Sequence, residues 1–294
     1  MELATTERPT TTRGGLLEAV QAENPAKRAV ETAWLAYTPV WGAVSGIIMA
    51  GGFGERWGDL PLMVYGVTMM LGALLAPYAN MPAEERAKPF LERSATKMSA
   101  VVVLLSWGLN YTQTPFFWEV LHMHYGFQTT WNIDSNPFFL YCLTVAYFAT
   151  YSVLCTFAFR GIRHGLANAP AAVRWTGYAL APFAMAFLET VLNQNPFTTR
   201  LFCYDDNAFM LTFGTFAYGV AFVFAMPIWA TTDEDAAKPS KLLPVIAMTL
   251  GALYADLVVL DTLQATVAPS LTHVEPGARG LRDYEDSCLV PPGS

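Results

Sequence analysis

NAFMLTFGTFAYGVAFVFAMPIWATT, residues Asn207–Thr232, runs for 26 residues without one charged side chain. A helix rising about 1.5 Å per residue crosses a bilayer core of about 30 Å in about 20 residues, so this stretch predicts a membrane-spanning helix. Four more stretches repeat the pattern: Thr32–Gly54, Leu60–Ala83, Met98–Trp118 and Pro137–Phe159. Two weaker candidates complete the set. Trp175–Asn193 is apolar except for Glu189, and Leu242–Gln264 except for Asp256 and Asp261. The expected fold is all-α, a polytopic integral membrane helical bundle of about seven transmembrane helices. The composition agrees. Only 14% of the 294 residues are charged and 53% are hydrophobic, against about 25% charged in ordinary globular domains. This balance excludes a soluble enzyme, a disordered chain and a nucleic-acid binder.

Basic residues set the topology, because cytoplasmic loops collect Lys and Arg. Alternate segments between the predicted helices hold thirteen and four of the 17 Lys and Arg residues. The rich set begins with the N-terminal segment, which carries Arg8, Arg13, Lys27 and Arg28. The N-terminus is therefore expected in the cytosol and the C-terminus on the far side. Residues 1–29 read as a polar, disordered cytosolic segment, 30–264 as the transmembrane domain and 265–294 as a polar tail. Residues 1–31 have no apolar core region, so no signal peptide is expected. The run Asp233-Glu234-Asp235 reads as a solvated loop. Cys142, Cys155, Cys203 and Cys288 form no CxxC pair. Neither a disulfide nor a zinc site is expected from them.

A carboxylate at membrane depth is costly, roughly 2.5–3.5 kcal/mol by insertion scales, so it is a functional candidate by default. The candidates are Glu31, Glu119, Glu189, Asp256 and Asp261, with Asp134, Asp205 and Asp206 in far-side loops near the membrane. Glu189 stands out because Thr190, Asn193, Gln194 and Asn195 extend a polar face beside it at helical spacing. Asp256 and Asp261 lie five residues apart, about 140° around a helix, and cannot face inward equally. Glu119 and His122 make a Glu-x-x-His pair, but di-metal helix bundles need a second such pair, so no metal site is expected. The far-side loops are crowded with aromatic residues, from Tyr111 to Trp131 and from Phe197 to Phe209. They read either as an interfacial belt or as a cap over a bulky apolar substrate.

Several blocks, in order along the chain, resemble the cycloeucalenol cycloisomerase (cyclopropylsterol isomerase) family. The opening is Asn24-Pro25-Ala26-Lys27-Arg28, Glu31 and Tyr37-Thr38-Pro39-Val40-Trp41. The central aromatic stretch starts at Asn110-Tyr111 and ends at Trp131. Ala186-Phe187-Leu188-Glu189-Thr190, Asn195-Pro196-Phe197, Phe202 and Asp205 or Asp206 form the best-marked block. Gly214, Phe216, Tyr218, Phe224, Pro227 and Leu260-Asp261 continue the likeness.

The resemblance implies an isomerase of sterol biosynthesis that opens a cyclopropane ring, cycloeucalenol-like to obtusifoliol-like. A cyclopropane is a very weak base and needs a strong, positioned acid. A carboxyl in an apolar site keeps its proton, and Glu189 is the expected donor. Ring opening leaves a tertiary cation that aromatic faces stabilise. Tyr37, Trp41, Tyr111, Phe187 and Tyr218 are the candidates for this, and Trp131 and Asn195 complete the expected substrate-binding set. A base must then remove a neighbouring ring proton. Asp261 or Glu31 is expected, with Asp205 or Asp206 in reserve. There is no net redox change, so no cofactor is expected. The expected partners are a cyclopropyl sterol and membrane lipids, with no nucleic acid. The expected location is a membrane crossed several times, the endoplasmic reticulum in a eukaryote. The same toolkit also suits another membrane-embedded sterol or isoprenoid isomerase or a terpene cyclase. A non-catalytic lipid-binding protein also remains open.

Overall fold

The computed structural model describes residues 20–194, 198–271 and 288–289. The Thr5–Arg13 segment, Asn195 and most of the tail after residue 271 lie outside the described residues. Among the described residues, seven long helices appear in the order predicted. They are α1 (Pro25–Ala50), α2 (Asp59–Ala79), α3 (Ser94–Thr112), α4 (Phe138–Gly165), α5 (Ala171–Asn193), α6 (Asn207–Thr231) and α7 (Leu242–Thr266). Five of them, α1, α2, α4, α6 and α7, are long and apolar enough to cross a membrane. This is the make-up of a membrane-embedded helical protein.

Local signals set the helix starts. The Asn24 side chain accepts a hydrogen bond from the Ala26 amide at 3.0 Å, and Pro25 follows at the first helical position, the arrangement that caps a helix N-terminus. So α1 begins inside residues 1–29, the segment expected to be polar and disordered. Ala22 and Lys27 there are fully buried. The central helix is α4, which packs against α1, α2, α3, α5 and α6, while α7 lies outside against α3 and α6. Close approach of α2 and α4 requires a glycine: a Cβ on Gly66 would clash with the Phe139 carbonyl oxygen. Within α6, Met210–Gly214 forms a π-helical turn.

The two ends of the bundle differ. At one end, buried cations meet buried acids. The Arg160 guanidinium binds Glu31 bidentately at 2.8 Å and Glu234 at 2.7 Å. Lys27 pairs with Glu234 at 2.9 Å and Lys97 with Asp233 at 2.6 Å. The Asp233-Glu234-Asp235 loop therefore differs from its solvated expectation. Asp233 is buried and Glu234 partly so, because Lys27, Lys97 and Arg160 leave the water only with counter-charges; only Asp235 is exposed. Burial raises the Glu234 carboxyl, but Arg160 and Lys27 outweigh it and hold the group at about 2.

At the other end the loops form a small lid. Strand β1 (Met123–Tyr125) pairs antiparallel with β4 (Phe202–Tyr204), and β2 (Asn132–Ile133) pairs with β3 (Asn136–Pro137). Asp134 and Ser135, both with positive φ, form the β2–β3 turn. The Asp59 carboxylate ties the preceding loop down, accepting from the Thr129 hydroxyl at 2.6 Å and the Trp131 amide at 3.1 Å. Cys203 and Cys288 form a disulfide, which corrects the expectation that no cysteines pair. The partners lie 85 residues apart, so no local spacing announces them. Tertiary folding brings Cys288 to the ribbon, where the Asp205 carboxylate accepts its amide at 2.9 Å.

Candidate active site

The ribbon makes the roof of a cavity. Directly paired residues share one face of a strand pair, so Met123 and Tyr204, with Tyr125 and Phe202, form one face while His124 and Cys203 form the other. The first face lines a cavity of about 200 Å³ in the disulfide half of the bundle. The walls come from α1 to α6. From α4 the lining residues include Leu140, Thr144, Tyr147, Phe148 and Tyr151, one stripe at helical spacing. Burial raises Tyr125 and Tyr204, the two tyrosines of the roof, above the usual phenol range. Their hydroxyls stay neutral.

The cavity is aromatic and mostly apolar, and among the described residues one carboxyl lines it. Six of the described lining residues are tyrosines, including Tyr65, Tyr147 and Tyr218. Glu189, near the C-terminal end of α5, is the acidic residue among the described lining residues. The Tyr218 hydroxyl donates to Glu189 Oε2, and Tyr151 interacts with the same carboxyl. Phe117 and Phe222 flank Tyr218, with ring centroids 5.6 and 5.3 Å away. Thr190 and Asn193, singled out beside Glu189 from spacing alone, also line the cavity. Such a site can donate a proton to an apolar molecule and surround a developing cation with ring faces.

Among the described residues, the other carboxylates and aromatics predicted for the site do not line this cavity. Glu31 binds Arg160 at the opposite end of the bundle. Asp205 accepts from His124 at 2.7 Å behind the ribbon, and Asp206 caps the start of α6. Asp261 lies on an exposed face of α7, while Asp256, the other acid of that helix, is buried. Tyr37 donates to the Met69 carbonyl at 3.1 Å. Trp41 donates to the Thr150 hydroxyl and its ring packs, tilted, against Tyr147 with centroids 4.2 Å apart, which places it behind the cavity wall. Tyr111, Trp131 and Phe187 are exposed. Tyr218 is the expected aromatic that the fold brings to Glu189. Tyr147 and Tyr151 were missed. Their four-residue spacing on an uncharged helix was the available signal, but it reads equally as ordinary packing.

His124, Asp205 and Cys288 bring three donor-type atoms within 4.8 Å of one another. The Cys288 sulfur is bonded to Cys203, and Asp205 is engaged by His124 and the Cys288 amide.

Comparison with curated proteins finds one relative of the expected kind. Over 254 residues, the chain is 26% identical to cycloeucalenol cycloisomerase of Arabidopsis thaliana, an alignment covering 84% of this chain and 89% of that one. No family model matches the chain, and no solved structure matches it.

Proposed function

We propose that this chain is a membrane-embedded isomerase that opens the cyclopropane ring of a cyclopropyl sterol, converting a cycloeucalenol-like substrate to an obtusifoliol-like product. The observation that carries the reading is one carboxyl, Glu189, held by Tyr218 in an aromatic cavity within a membrane bundle. Similarity to a cycloeucalenol cycloisomerase supports it.

The proposed chemistry balances without a co-reactant. Glu189 delivers its proton to the bridging CH2 as one ring C–C bond breaks. The bridge becomes a methyl group and a tertiary ring cation forms. A neighbouring ring C–H then loses its proton, and the electrons of that bond make the ring double bond. Asp261, Glu31, Asp205 and Asp206 lie away from the cavity, so the proposed base is the Glu189 carboxylate itself, which regains its proton. Tyr218 positions the carboxyl, and the tyrosine and phenylalanine faces hold the cation.

The proposed topology has all seven helices crossing the membrane, with a cytosolic N-terminus. The basic loops then lie at the ion-paired end, and the cavity and disulfide face the far side. A disulfide there suits the lumen of the endoplasmic reticulum, which is oxidising. The test is a product assay. Membranes of a sterol-deficient host expressing the chain are incubated with cycloeucalenol and cycloartenol, and gas chromatography–mass spectrometry follows the products. A ring-opened sterol is expected. Unchanged substrate with well-expressed protein would end the cyclopropyl-sterol reading.

A further inference from the structure

Gln113 sits where α3 breaks into the short helix Thr114–Glu119. Its backbone is fully used: the amide donates to the Leu109 carbonyl at 2.8 Å, and the carbonyl accepts from Phe117 at 3.2 Å. Its side chain is not. Gln113 lines the cavity and is only 3% exposed, and its Nε2 has no hydrogen-bond partner. Among the described lining residues no other has a buried side-chain polar atom in this state. The nearby polar groups are committed. Asn110 Nδ2 donates to the Ser106 carbonyl at 2.7 Å and to Thr144 at 2.8 Å, and its Oδ1 accepts from Asn136 at 3.0 Å. Thr144 and Thr190 donate to backbone carbonyls of their own helices.

A buried amide donor without a partner is costly, so native structures rarely leave one idle. A ligand oxygen would satisfy it. We infer that Gln113 recognises the sterol's ring hydroxyl and is a specificity-determining residue of this cavity. The inference rests on the proposed function for the class of ligand. A hydroxyl both donates and accepts, so it meets the amide in either orientation. The cavity then has two chemical poles, an acid at Glu189 on α5 and an amide at the end of α3. A sterol bound between them presents its hydroxyl to one and its strained ring to the other.

The experiment compares two ligands on each protein. Binding of cycloeucalenol and of its 3-deoxy analogue is measured by radioligand competition on purified, detergent-solubilised wild type and Gln113→Met. Methionine keeps the length and bulk of glutamine without the amide. The ratio of the two affinities is unaffected by any unfolded fraction, since both ligands see the same preparation. Wild type is expected to prefer the hydroxysterol at least tenfold, and Gln113→Met to bring that preference within about twofold. In turnover, the variant is expected to raise KM more than it lowers kcat. An undiminished preference in Gln113→Met, or none in wild type, overturns the assignment. Ring opening is scored separately. A preference lost in the variant while wild type opens no ring would uphold hydroxyl recognition and sink the isomerase reading instead.

Discussion

Replacing Glu189 with Gln removes the transferable proton from the cavity and changes almost nothing else. Tyr218 donates to Oε2 of the carboxyl, and the glutamine carbonyl accepts that same bond. The replacement is isosteric, and the aromatic walls are untouched. A positioned general acid contributes about 10²–10⁴ in rate. No second carboxyl lines the cavity among the described residues, so no stand-in is present. The expected loss of ring-opening turnover is therefore about 10³-fold or more, equivalent to about 4 kcal/mol of transition-state stabilisation. Sterol binding is expected to stay within about threefold, since substrate contacts persist. Tyr218→Phe keeps the acid but removes its positioning bond, and a loss of only about tenfold is expected. The assay is single-turnover conversion of cycloeucalenol, with binding measured on the same preparations. Retention of a tenth or more of wild-type turnover by Glu189→Gln would refute the assignment of the acid. Loss of binding in parallel with turnover would show that Glu189 holds the substrate or the fold rather than donating a proton.

Three further outcomes follow from the ends of the bundle. Arg160→Met strands Glu31, which is 2% exposed, without its bidentate partner. Losing one member of a buried pair costs about 3–5 kcal/mol, so a clear drop in thermal stability in detergent is expected, largely restored in the Glu31→Gln/Arg160→Met double variant; an unchanged melting temperature would mean the cluster is not load-sharing. Glu234 is held at about 2 by Arg160 and Lys27 against the raising effect of burial. Its carboxylate, depressed below the ordinary value, stabilises the fold fully above about pH 4.5, and this is lost as the pH falls toward 2. A pH titration of unfolding should show that loss in wild type but not in Glu234→Gln. Finally, Cys203→Ser frees Cys288, and a membrane-impermeant maleimide should label it only from the lumenal side of sealed microsomes. Labelling from the cytosolic side would invert the proposed topology.

Charge-free runs, alternating basic loops and the length of a membrane span could be read without a structure, because they depend only on each segment's partition between lipid and water. That is why the seven helices appear where Thr32–Gly54, Asn207–Thr232 and the other stretches predict them, to within a few residues at most ends. Glu189 stands out in the sequence for the same reason, since a carboxylate in an otherwise apolar run is expensive wherever the helix packs. What partners each polar group finds was not legible, because partners are set by distances between segments far apart in the chain. Arg160 meets Glu31 across 129 residues and Cys203 meets Cys288 across 85. No periodicity or spacing encodes either pairing. The same limit applied to the cavity. Along the chain, Asp261, Glu31, Asp205 and Asp206 are carboxylates near the membrane just as Glu189 is. Only packing separates a carboxyl that opens onto an aromatic cavity from one sealed in an ion pair, fixed behind a strand or facing outward. Gln113 shows the same point from the other side. As a lone glutamine at a helix end it carries no signal, and it gains meaning only because the fold buries its amide beside the cavity without a partner.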